Sequence, residues 1–166
     1  MNNLLALSTV TIVLACAEVF ADDSLEFVYL QEKVAAYENQ LQECMLMGRN
    51  ADFPSEAVLA ALEAYPQEQV ESFLVTKATL AEEQCVAKEL GELAAALLTI
   101  EAAEHEPSED AVTLMNEIKP ATFVSTRWEL QRHYLSLPRE MRERMEEVEA
   151  FQRPFNSLLI REHLYN

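Results

Sequence analysis

Residues 66–105 read PQEQVESFLVTKATLAEEQCVAKELGELAAALLTIEAAEH, with no proline after the first residue and a single glycine, Gly91. Apolar side chains recur here at spacings of three and four, the repeat that lines up one face of an α-helix. Val70, Leu74, Ala78, Ala81 and Cys85 mark one side, whereas Val86, Leu90, Leu93, Leu97 and Ile100 mark a side rotated by more than a quarter turn. A long helix is predicted whose halves bury against different neighbours, or which bends near Gly91.

Upstream, Asp23 and Glu26 form a capping-box pair ahead of Phe27, Leu30, Val34, Tyr37, Leu41 and Cys44, again at helical spacing, and Gly48 is the C-cap candidate. A short helix with Val58, Leu59 and Leu62 follows Pro54. Downstream, shorter helices are expected over 108–118, 126–136 with a capping box from Thr126 to Glu129, 138–152 and 154–164, each beginning near a proline. Strand signals are nearly absent. The pattern predicts an all-α, single-domain bundle of six or seven helices with one long central helix, occupying residues 22–166.

Residues 1–21 read as a targeting segment. Leu4 to Ala17 is mostly apolar and carries no charge; the run is too short for a bilayer span and fits a signal peptide, with Val19 and Ala21 at −3 and −1 of a cut before Asp22. Export to the periplasm or beyond, with no transmembrane span after processing, is the first expectation. Val13-Leu14-Ala15-Cys16 also resembles a bacterial lipoprotein signal box, which implies the alternative of an envelope anchor through lipidated Cys16.

Either route leaves Cys44 and Cys85, and an oxidising compartment favours their pairing. Measured from the helix starts, both cysteines lie about 30 Å along their helices at 1.5 Å per residue. A simple antiparallel hairpin would separate the two sulfurs, so the bond predicts that the helix after Ser24 and the first half of the long helix run parallel.

Composition excludes several chemistries. Gly48 and Gly91 are the only glycines of 166 residues, too few for phosphate-cradling loops, dinucleotide fingerprints, nucleophile elbows or EF-hand loops. A formal charge of −17 argues against nucleic acid and anionic membrane surfaces. The charge is polarised: residues 22–119 hold 21 acidic and 5 basic side chains, whereas residues 120–166 are balanced, with 7 of each and seven of the eight arginines.

Few residues suggest chemistry. Ser24, Ser55, Ser108, Ser125 and Ser136 sit at expected helix starts and read as caps. His105, His133 and His163 fall in separate segments without ligand spacing, and no Glu-x-x-His motif occurs. Glu101, Glu104 and His105 are the one weak metal candidate, against the plainer reading of a solvated acidic helix end; no cofactor is expected. Arg127, Trp128, Arg132 and Tyr134, with His133 among them, are residue types enriched in binding hot spots; the alternative is a core tryptophan with arginines paired to Glu129. Arg139, Glu140, Arg142, Glu143, Arg144 and Glu146 form i, i+4 pairs on an exposed face, with Met141, Met145 and Val148 inward.

The expected function is therefore noncatalytic: an inhibitor or immunity-type domain whose acidic face binds a basic protein. The alternative is a periplasmic chaperone or envelope adaptor with an apolar groove.

Overall fold

A computed structural model of the chain describes residues 24–123 and 126–165, with the backbone alone at 126 and 127. The expected targeting segment with Cys16, Val19 and Ala21, and the expected capping residue Asp23, lie outside the described residues. Eight α-helices follow in order: α1 (Leu25–Arg49), α2 (Glu56–Glu63), α3 (Gln67–Cys85), α4 (Ala87–Glu101), α5 (Glu109–Thr122), α6 (Thr126–Ser136), α7 (Arg139–Glu146) and α8 (Ser157–Tyr165), with a 3₁₀ turn at Glu149–Phe151 before α8. No strand occurs among the described residues. The longest helix is α1, at 25 residues.

The predicted helix over 66–105 divides at Val86, five residues before Gly91. Val86 adopts φ −97° and ψ 0°, ending α3 and starting α4. Val70 and Leu74 of the first stripe and Leu93, Leu97 and Ile100 of the second are buried in different cores, which is why the stripe has to rotate. Leu59, Leu62, Val70, Phe73, Leu74, Tyr134, Leu137, Met141, Met145, Phe151, Phe155 and Ile160 form the larger core around α3. Leu30 of α1, Leu93, Ala96, Leu97 and Ile100 of α4, and Met115 of α5 form the smaller one. Phe73 and Phe151, edge to face at 5.4 Å, and Phe155, tilted against Phe151 at 5.0 Å, centre the larger core.

Cys44 and Cys85 are disulfide-bonded, their Cα atoms 6.1 Å apart. The bond ties the C-terminal part of α1 to the α3–α4 break, between the two cores. Gln40 reinforces the joint, since its Nε2 donates to the Cys85 carbonyl at 3.3 Å.

The expectation of parallel helices is overturned. Lys33 pairs with Glu92, Cys44 with Cys85, and Glu26 with His105 beyond α4, so positions rise along α1 as they fall along α4. Met45, Gly48 and Arg49 of α1 share a groove with Val75, Ala78, Thr79 and Glu82 of α3, which continues the antiparallel trend. Bond and antiparallel packing coexist because α2 and its flanking loops carry the chain past the end of α1, so α3 spends its length in the larger core before it reaches Cys44.

Local signals need three corrections. Ser24, rather than Asp23, caps α1, accepting from the Phe27 amide at 3.3 Å. Gly48 lies inside α1, whose C-cap is Asn50, and no positive φ occurs among the described residues. Gly48 instead lies against Pro154, where a Cβ would stand in ordinary contact at 3.5 Å from the Pro154 Cβ. Pro120 sits in the last turn of α5, so that helix outlasts its expected end at Ile118.

Candidate functional site

α6 brings the predicted hot-spot residues only partly together. Its eleven residues pack on α3, and a helix turns each successive side chain by 100°. Tyr134 therefore points inward: it is buried in the larger core, beside Phe73, and its hydroxyl donates to Glu146 Oε1 at 2.9 Å. Burial, then the Glu146 carboxylate, pushes its phenol well above the ordinary range. Lys77 and Arg142 each lie over the ring, 5.8 Å from its centroid and within cation–π reach. Tyr134 is thus a core residue and leaves the partner-binding set.

Trp128 does the opposite. It is 68% exposed, and Leu135 two turns on is 51% exposed. Arg132 lies between them at i+4 from Trp128, so the three share one outer face of α6. The Arg127 side chain lies outside the described residues. The alternative of a core tryptophan is overturned, because α6 directs Tyr134 inward instead and Leu137, just past its end, is buried beside it in the same core.

Beside this face, α3 and α6 enclose an open groove of about 840 Å³ lined by Thr79, Glu83, Glu129, Leu130, Arg132, His133 and Ser136. Two carboxylates, a guanidinium and an imidazole give its rim mixed charge, while Leu130 and the aliphatic parts of these side chains leave the wall more apolar than polar. His133 Nε2 and Ser72 Oγ are 2.6 Å apart, tying α6 to α3. A hydroxyl and an imidazole at that distance are half of a nucleophilic site. The other half, free amides to hold an oxyanion, is missing at Ser72: it is the sixth residue of α3, where backbone N–H groups are already used by the helix ladder. The pair reads as an interhelical tie. Ionisation is displaced at Glu26, Lys33, Glu71, Glu92, Tyr134 and Tyr165, none of which lines the groove.

The weak metal candidate does not gather. Glu101 pairs with Lys119 of α5 and His105 with Glu26 of α1, while Glu104 is exposed. Among the described residues no group of three or more His, Cys, Asp or Glu side chains is arranged to hold a metal ion. Ser24 and Ser108 are caps as expected; Ser55 occupies a cap position without a side-chain bond, and Ser136 ends α6, donating back to the His133 carbonyl. Ser125 lies outside the described residues. Of the i, i+4 pairs on α7, Arg139–Glu143 forms at 2.6 Å, whereas Arg142 turns to the Leu137 carbonyl and the Tyr134 ring.

Sequence reasoning missed a second surface at the end of α1, where Met45, Leu46 and Met47 are all exposed. Its signal was present: three consecutive apolar residues on a helix span 200° and cannot all face one core. No helix among the described residues is long and apolar enough to cross a membrane. No protein family, curated protein or solved structure matches the chain.

Proposed function

We propose that the chain is an exported, noncatalytic helical domain that binds a basic protein, with Trp128 at the contact. The observation that carries this reading is the exposed tryptophan sharing a helix face with Arg132 and Leu135 beside the open groove between α3 and α6. Tryptophan and arginine dominate binding hot spots, and an exposed indole face accepts the cationic side chains that a basic partner supplies. Glu129, adjacent to Trp128, offers such a partner a carboxylate. The formal charge of −17 steers association, raising its rate more than its affinity. A disulfide between Cys44 and Cys85 agrees with an oxidising compartment.

The test is capture of partners by cross-linking in the producing cell, comparing the native chain with Trp128→Ala and with Arg132→Glu. The reading expects one predominant partner of basic isoelectric point, lost in Trp128→Ala, whose association slows by about tenfold or more between low and high salt. Undiminished, salt-independent capture by Trp128→Ala would overturn it.

A further inference from the structure

A second, separate surface lies where α1 ends. Met45 of α1, Val75 of α3 and Leu158 of α8 are 43%, 55% and 62% exposed, and all three line a groove of about 270 Å³ whose floor includes Ala78 and Phe155. Pro154 walls this groove and also a neighbouring cleft of about 440 Å³ that holds Leu46 and Met47. Here α1, α3 and α8 bring five exposed apolar residues to adjoining walls. Methionine is unbranched and polarizable, and therefore adapts to differently shaped apolar partners.

The polar surroundings are predominantly acidic. Glu82 lines the groove and Asp52 the cleft. Glu43 lies one turn before Met47, and Glu162 one turn after Leu158. None of these four carboxylates has an ion-pair partner among the described residues. Of the two arginines lining these walls, Arg153 is held by Glu149 at 3.1 Å, which leaves Arg49.

The geometry points to a docking groove for a cationic amphipathic helix of another protein, which lays apolar side chains at i, i+3, i+4 and i+7 against Met45, Val75 and Leu158 and meets the carboxylates with lysine or arginine along its edges. Charge selects this occupant over its competitors. A second copy of the chain carries the same −17 and sets acidic rim against acidic rim, and an anionic lipid surface is repelled in the same way. This surface does not use Trp128, so it stands or falls apart from the α6 contact.

The methionines make the test direct. Of the six in the chain, Met115, Met141 and Met145 are buried and Met45 and Met47 exposed. The chain, ¹³C-labelled at its methionine methyls, is titrated with a synthetic helical peptide of leucine and lysine in amphipathic register, and with its counterpart in which every lysine is glutamate. The lysine peptide is expected to move the Met45 and Met47 signals and leave those of the three buried methionines in place. Met45→Ser with Leu158→Ser should weaken binding about tenfold or more, and Glu82→Lys should weaken it and flatten its salt dependence. Equal binding of the glutamate peptide, or no shift at Met45 and Met47, would overturn the proposal. So would Met45 shifts that depend on protein concentration without peptide, which would assign the face to a second copy.

Discussion

Ser24 and Ser108 are separated by 84 positions, yet their hydroxyl oxygens lie 2.7 Å apart. Each is an N-cap: Ser24 accepts from the Phe27 amide at 3.3 Å and Ser108 from the Ala111 amide at 3.2 Å. One hydroxyl also donates to the other, so two helix starts are fastened at a single point.

Because each serine satisfies an otherwise orphaned amide, Ser24→Ala and Ser108→Ala should each cost about 1 kcal/mol. The hydroxyl contact adds coupling, so the double variant should lose less than the sum, by about 0.5 kcal/mol. Urea unfolding of the four proteins measures it. Strict additivity would show that the two caps act independently.

The Cys44–Cys85 bond closes a sequence separation of 41 residues, for which loop-closure entropy gives roughly 4 kcal/mol. Cys44→Ala with Cys85→Ala should therefore fall far in thermal stability. The bond stands between the two cores, so unfolding of the variant should become two-stepped, with methyl signals of Met115 in the smaller core and Met141 in the larger one lost at different temperatures. A single, unshifted transition would deny the bond this role.

Gly91 lies within α4 and has no atom within 4 Å of where a Cβ would stand. Glycine in a helix interior costs about 1 kcal/mol relative to alanine, mainly through the freedom of the unfolded chain. Gly91→Ala should raise stability by about 0.5–1 kcal/mol in calorimetry or urea titration. A loss would mean that the backbone at Gly91 departs from helical geometry.

The Lys33–Glu92 pair gives a signed pH dependence. The hydrogen bond from Lys33 at 2.8 Å, then its charge, holds the Glu92 carboxyl below its usual 4.5, and the same contact raises the Lys33 ammonium above its usual 10.5. A carboxyl depressed in the folded state contributes stability above 4.5 that is lost as pH falls through the lower folded value. A raised ammonium contributes below 10.5 and loses its share as pH rises through the folded value. The stability difference between the native chain and Glu92→Gln should thus be constant between these limits and shrink beyond both. Taking the difference removes the relief of general repulsion that acid brings to so negative a chain. A difference that changes across neutral pH would contradict the pairing.

Trp128 is the chain's only tryptophan, so its fluorescence reports one site. Exposed at 68%, it should emit like indole in water and be quenched freely by acrylamide. Trp128→Ala should change stability by less than about 0.5 kcal/mol, as surface substitutions do. A blue-shifted, protected emission would bury the residue assigned to the contact.

Periodicity made the helices legible. Leu30, Cys44, Leu62, Val70, Leu74, Leu93, Leu97, Ile100, Met141 and Met145 are buried as their spacing requires, because a helix presents each third or fourth residue to the same neighbour whatever that neighbour is. The rotation of the stripe after Cys85 likewise announced two partners for one stretch of chain. Less could be read of the surface. Trp128 and Tyr134 stand in the same eleven-residue helix and are both aromatic, and only the position of α3 decides that one is core and the other solvent-facing.

Chain direction belonged to the tertiary structure too. The pairing of Cys44 with Cys85 followed from their number and the expectation of export, but the path between them depends on α2, which carries the chain beyond α1 before α3 returns. The same path sets Met45, Val75 and Leu158 side by side. Local spacing fixes which residues share a face, since that is a property of one helix. Which faces meet is a property of several helices at once, and short-range pattern carries no record of it.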